Sequence, residues 1–257
     1  DGNTITGGGD GISAYGAALD FLEPEAADPG NTISGVGGEA IVLNTWGWGN
    51  TPASSPGSLV AGASTTIGPA VADCIWATGD GVGVSLTGTT LDGCGSSALF
   101  LVGNGSATVS GAVITNPGNT GLRIASGTME INSGTTINGT SASGLSMTGG
   151  IVTIDGLAIT GGTTYGLNLD GGELVVNTAD IAGTTQNGID MSGGILVGGA
   201  GLGVSGSGGD GLRATSGTVT LSGSNLSNNS GSGIELTGNV EANISDVTLE
   251  DNGGSGL

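Results

Sequence analysis

The chain has 257 residues and a formal net charge of −20, from 2 Lys+Arg against 22 Asp+Glu with no His. That balance excludes nucleic acid as a partner, because phosphate recognition needs cations that release the counterions around the backbone, and it excludes binding to anionic membrane surfaces. Aromatic residues make up only 3% while Gly numbers 58, so the interior must be narrow and aliphatic, and the glycine must serve a recurrent backbone purpose.

Residues 1–14 open with an apolar marker, Ile5, a bend residue, Gly7, and a second marker, Ile12. Residues 15–30, YGAALDFLEPEAADPG, are expected to enlarge the first turn as an acidic loop with a fragment of strand at Leu19–Phe21. The carboxylates Asp20, Glu23, Glu25 and Asp28 are the oxygen ligands that Ca²⁺ takes, and they equally suit a solvated loop; no other cofactor is implied. The next unit begins at Ile41 and carries residues 44–58, NTWGWGNTPASSPGS, a Gly/Pro/Ser-rich loop insertion with Trp46 and Trp48.

From Ile75 onward the sequence repeats almost without insertion. The first apolar residue of each copy is Ile75, Leu99, Leu122, Leu145, Leu167, Ile189, Leu212, Ile234 and Leu257, at steps of 24, 23, 23, 22, 22, 23, 22 and 23. A second marker precedes each by eight residues, as Ile67, Leu91, Ile114, Ile137, Ile159, Ile181, Val204, Leu226 and Leu249. Two positions past that marker, Gly, Asn or Asp stands in every copy but one, the exception being Pro69. Those residues tolerate left-handed backbone angles, so one tight bend recurs per copy.

Between bends the apolar residues alternate. A first run reads Leu122/Ile124, Leu145/Met147, Leu167/Leu169. A second reads Met129/Ile131, Val152/Ile154, Leu174/Val176, Ile195/Val197, Val219/Leu221, and a short third run surrounds Ile137, Ile159 and Ile181. Period-two alternation predicts strands rather than helices. Three short strands and three bends make one turn of a coil, and coils stacked about 4.8 Å apart pair each strand with its copies above and below. The expected fold is all-β: a single-stranded parallel β-helix, or solenoid, of about ten coils with three strands each, continuous over residues 1–257 and right-handed by the chirality of parallel crossovers. The repeat begins and stops in mid-coil with no cap, which points to a window of a longer protein or a module that stacks end to end.

The G-[LI]-x-[LIM] … I-x-[GN] pattern resembles the right-handed parallel β-helix repeats of the pectate-lyase-like superfamily, and does so over the whole chain. The resemblance implies the fold and leaves the activity open, since that fold carries lyases, hydrolases, tailspikes, adhesins and inert surface proteins. A lyase of this superfamily uses an Arg or Lys base on an outward sheet face beside acidic Ca²⁺ ligands. Arg213 between Asp190 and Glu235 is where this chain could imitate it, but the acids lie on opposite sides of the Arg, and a surface salt-bridge ladder accounts for them. The N-T-D, D-D, G-H-G and R-I-K motifs of the polygalacturonases are absent.

Aligned by coil, the outward residues of the first strand include Val42, Trp76, Phe100 and Arg123. With Trp46 and Trp48 from the neighbouring loop, Trp76, Phe100 and Arg123 form a candidate carbohydrate-binding strip, aromatic faces being natural platforms for sugar rings. The competing reading has the loop fold down and cover Trp76 and Phe100. Cys74 and Cys94 sit one coil apart; a disulfide between them would fasten adjacent coils and imply an oxidising, extracellular setting, with two buried free thiols as the alternative. The longest apolar run, Ala98 to Val102, is far too short to span a bilayer. The functional expectation is a non-enzymatic extracellular or cell-surface module, a rigid acidic rod of an adhesin, sheath or filament, whose partners are other copies or flanking domains of the same protein. The alternative is a carbohydrate-active β-helix acting on polysaccharide.

Overall fold

Alternating aliphatics separated by glycine favour strands over helices, and among the described residues every regular element is a strand. The computed structural model describes residues 2–21, 30–45, 56–161 and 163–257. All strand pairings are parallel, and each strand pairs with its counterparts one repeat before and after it.

Leu167 lies in register with Ile189, and both are fully buried. The same column runs from Ile12 through Ile41, Ile75, Leu99, Leu122 and Leu145 to Leu212 and Ile234. The solenoid has about eight turns, slightly fewer than the ten coils expected. The second markers form an equally direct column from Ile5 and Ile33 to Val204 and Leu226. From Thr128–Asn138 to Ile195–Ser205 the second and third strands run on as single elements, such as Ile151–Thr160 and Glu173–Ala182, that turn their corner at an irregularity in register; in Leu212–Ser222 and Ile234–Ser245 it is the first and second strands that are joined. The three sheets enclose one continuous aliphatic core.

One expected alternation is slipped by a residue. In Ile195–Ser205 the inward residues are Leu196 and Gly198, not Ile195 and Val197; Ile195 is 43% exposed and pairs with Glu173. The run ILVG offers apolar residues to both faces, so alternation alone does not fix which face is inside. Packing fixes it: a Cβ on Gly198 would stand 2.6 Å from Leu221 Cδ2 and 2.7 Å from Leu202 Cδ2, so Leu202 takes the space the glycine leaves.

Two glycine positions explain the repeat pattern. The bend residue two places past the second marker has positive φ in every coil that carries Gly, Asn or Asp there, from Gly7 (77°) through Asn116 (52°) and Asn228 (61°) to Asp251 (53°). Pro69 is the exception, following a cis peptide bond from Gly68, whose φ is 112°. The glycine just before the first marker is needed for space. On Gly166 a Cβ would lie 2.3 Å from Ile181 Cγ2, and on Gly188 it would lie 2.1 Å from Val204 Cγ1. In the turns that carry this glycine, the closing strand thus packs its aliphatic against a bare backbone.

Ala40, Cys74 and Ala98 hold that position in earlier coils. Cys74 is bonded to Cys94, with Cα atoms 5.2 Å apart and both residues buried. The bond fastens the start of one turn to the corner that leads into the next.

Within the first expected insertion, Ala18–Phe21 is a full strand paired with Ser58–Ala61. Asn44 ends the strand Ile41–Asn44, and Ser58 begins the next. Residues 22–29 and 46–55 lie outside the described residues, and with them Glu23, Glu25, Asp28, Trp46 and Trp48.

Candidate functional site

The first sheet presents its outward residues in one file, because the coil period brings the middle residue of each strand to the same azimuth. Val42, Trp76, Phe100 and Arg123 are consecutive neighbours across the pairings. Val42 is buried, Trp76 and Phe100 are half-buried, and Arg123 is exposed. The Arg123 guanidinium carbon stands 4.3 Å from the centre of the Phe100 ring, a cation–π contact. Among the described residues no carboxylate forms an ion pair with Arg123. Three of the five expected carbohydrate-binding residues are thus brought together.

Beyond Arg123 the file continues as Ser146 and Asn168. A shallow groove of about 360 Å³ opens there, lined by Asn119, Arg123, Ser146, Tyr165, Asn168 and Asp170 among others. Sequence reasoning missed Asn119 and Asp170, which come from the bends before and after the first strand, and Tyr165, which starts the strand Tyr165–Leu169. Their signal was positional: Tyr165 stacks on Ser143, two residues before the Leu167 marker. Together the groove offers a cation, amides, a hydroxyl, a carboxylate and an aromatic ring, a set suited to hydrogen-bonding a hydroxylated ligand.

The family described as right handed beta helix region matches residues 73–256. The chain belongs to the right-handed β-helix family. No curated protein and no solved structure matches it. The family fixes the winding of the coil and leaves the chemistry to the sites on its surface.

On the far part of the same β-helix face, Asp190, Arg213 and Glu235 are neighbours in register. The Arg213 Nε lies 3.3 Å from Glu235 Oε2, with both side chains nearly half exposed. Asp190 instead accepts a hydrogen bond from Asn187 Nδ2 at 2.6 Å. Arg213 is engaged in a surface ion pair of the kind worth about 0–1 kcal/mol. Among the described residues no group of three or more His, Cys, Asp or Glu could hold a metal ion, and Asp20 lies exposed on the strand Ala18–Phe21.

At the other end of the β-helix three acids fall two residues before successive markers: Asp10, Glu39 and Asp73. Burial pushes the Glu39 carboxyl above its ordinary pKa; a backbone hydrogen bond opposes this, and the hydrogen bond and charge of Asp10 and the charge of Asp73 reinforce it. A raised carboxyl means that the folded state holds its proton at pH values where the unfolded chain has lost it. Stability then falls as pH rises from the ordinary carboxylate range through the raised pKa. Glu39→Gln is therefore expected to melt higher than the parent at neutral pH, with the difference vanishing as pH falls through that window. Melting curves across the window check this, and a difference independent of pH would refute it.

Proposed function

We propose that the chain is a structural module of an extracellular or cell-surface protein, a stiff acidic rod of the kind that builds an adhesin, sheath or filament. The observation that supports it best is the unbroken register of the inward columns, with the same residue of every coil standing over its copy from Ile12 to Ile234. Such a stack gains stability turn by turn, and its hydrogen bonds run along the long axis, which stiffens a rod. The Cys74–Cys94 bond suits an oxidising compartment. The net charge of −20 keeps neighbouring rods apart and soluble. Other copies or flanking domains of the same surface protein are its natural partners. The test is antibody labelling of intact cells of the source: the expected outcome is label at the surface, and label confined to the cell interior would overturn the proposal.

A second reading, a carbohydrate-active β-helix, is favoured by one observation, the unpaired Arg123 stacked on Phe100 at the mouth of the groove. Incubation with acidic and neutral polysaccharides, with and without Ca²⁺, separates the two readings. The structural reading expects no oligosaccharide release. Release that is lost in Trp76→Ala or Arg123→Ala would establish the second reading in its place.

A further inference from the structure

Gly203 is the one glycine in the leading outward position of the third sheet, where its neighbours along the column are Asp180 and Asn225. Nothing in the backbone requires it: its φ is not in the left-handed region. Nothing in the packing requires it either, since an added Cβ would meet only Ala179 O and Asp180 Oδ1, each at 3.8 Å, ordinary contact distance. A glycine inside a strand weakens it and marks, among other things, a place where a ligand approaches the backbone closely. Here it opens a pit of about 140 Å³ whose walls include Asp180, Ser205, Asn225, Ser227 and Asn228.

The polar groups of this pit are set in advance. Ser227 Oγ accepts from the Glu250 backbone N–H at 3.0 Å, so its own proton points to Asn225 Oδ1, 2.6 Å away. That chain fixes the Asn225 amide with its carbonyl oxygen occupied and leaves its Nδ2 as the donor facing outward. On the opposite wall Asp180 leans over Gly203 as an acceptor. The backbones of the two walls are two rungs apart, about 9–10 Å; adjacent hydroxyl oxygens with one hydrogen bond of about 2.8 Å at each end span slightly less, and the lean of Asp180 over Gly203 takes up the difference. We infer that the pit binds the vicinal diol of a neutral sugar residue, one hydroxyl donating to the Asp180 carboxylate and the adjacent oxygen accepting from Asn225 Nδ2. A single carboxylate beside amides and hydroxyls suits a neutral polyol better than a divalent cation, which draws on several carboxylates. The pit lies on the third sheet and is independent of the first-sheet groove.

The experiment is a titration of the full ¹⁵N-labelled chain with methyl α-D-mannopyranoside and methyl β-D-glucopyranoside, followed by the Gly203 backbone and Asn225 side-chain amide resonances. Saturable shifts at both positions with at least one glycoside are expected at millimolar concentration. Gly203→Thr fills the pit and is expected to weaken binding roughly tenfold or more while melting no lower than the parent. Asp180→Ala is expected to weaken it similarly. Absence of saturable shifts, shifts that survive Gly203→Thr, shifts centred on Tyr165 and Arg123, or a response to Ca²⁺ without one to the sugars would each overturn the assignment.

Discussion

Replacing Leu167 with alanine is expected to lower the unfolding free energy by about 2–5 kcal/mol, the range for truncating a buried leucine. The upper part of that range is expected for a geometric reason. Leu167 is fully buried and lies in register between Leu145 and Ile189. The rungs above and below are held about 4.8 Å apart by their backbone ladders, so the neighbours cannot close on the cavity without opening hydrogen bonds along the whole sheet. The matched control is Ile151→Ala, at a side chain 48% exposed on the adjacent coil, which is expected to change stability by no more than about 0.5 kcal/mol. Urea denaturation of the two variants measures both values. Equal losses would show that the inward column is not what carries the fold. A second sign is expected in the same curves: because each coil contacts only its neighbours, a weak rung should divide the transition and lower its apparent cooperativity.

Loss of the disulfide is the other large effect. Cys74 and Cys94 close a loop of sequence separation 20, for which constraint of the unfolded chain contributes roughly 3 kcal/mol. The double variant Cys74→Ala/Cys94→Ala isolates that contribution, because alanine is already native at the equivalent places: Ala40 and Ala98 flank Cys74 along its column, and Ala70 pairs with Cys94. The variant is therefore expected to keep the coil geometry, with an unchanged circular dichroism spectrum, and to unfold at a lower denaturant midpoint. Both cysteines are at most 1% exposed, so a reductant added without denaturant should leave the bond intact, and reduction should follow unfolding. Rapid reduction of the native chain would contradict the burial, and an unchanged midpoint in the double variant would contradict the stabilising role.

The repeat was legible because two of its signals are local and strong. The period of 22 to 24 residues between Ile75 and Leu257 fixes which residues stack, and Gly, Asn or Asp past each second marker fixes where the chain bends. The mistake at Ile195 and Val197 arose where the sequence is apolar on both faces, so that nothing local distinguishes inside from outside; Leu202 and Leu221 decide it from two other strands. The groove beside Arg123 was half legible for a related reason. Phe100 and Arg123 occupy equivalent strand positions and could be aligned by counting. Asn119 and Asp170 reach the same face from bends, whose side-chain directions follow from the path of the backbone rather than from a period, and Tyr165 stands at the start of a strand that begins two residues before its marker.

The sequence by itself determined the winding of this protein: strands rather than helices, three to a turn, with aliphatics inward and left-handed residues at one corner, because a period-two pattern nested in a fixed longer period admits one way to bury its apolar face. Only the tertiary structure decided which side chains meet across coils. It paired Arg213 with Glu235 rather than Asp190, set Arg123 over Phe100, joined Cys74 to Cys94 and opened the pit at Gly203. Those contacts depend on distances of a few ångströms between residues twenty or more positions apart, and such distances are set by how each corner turns, not by the order of residues along it.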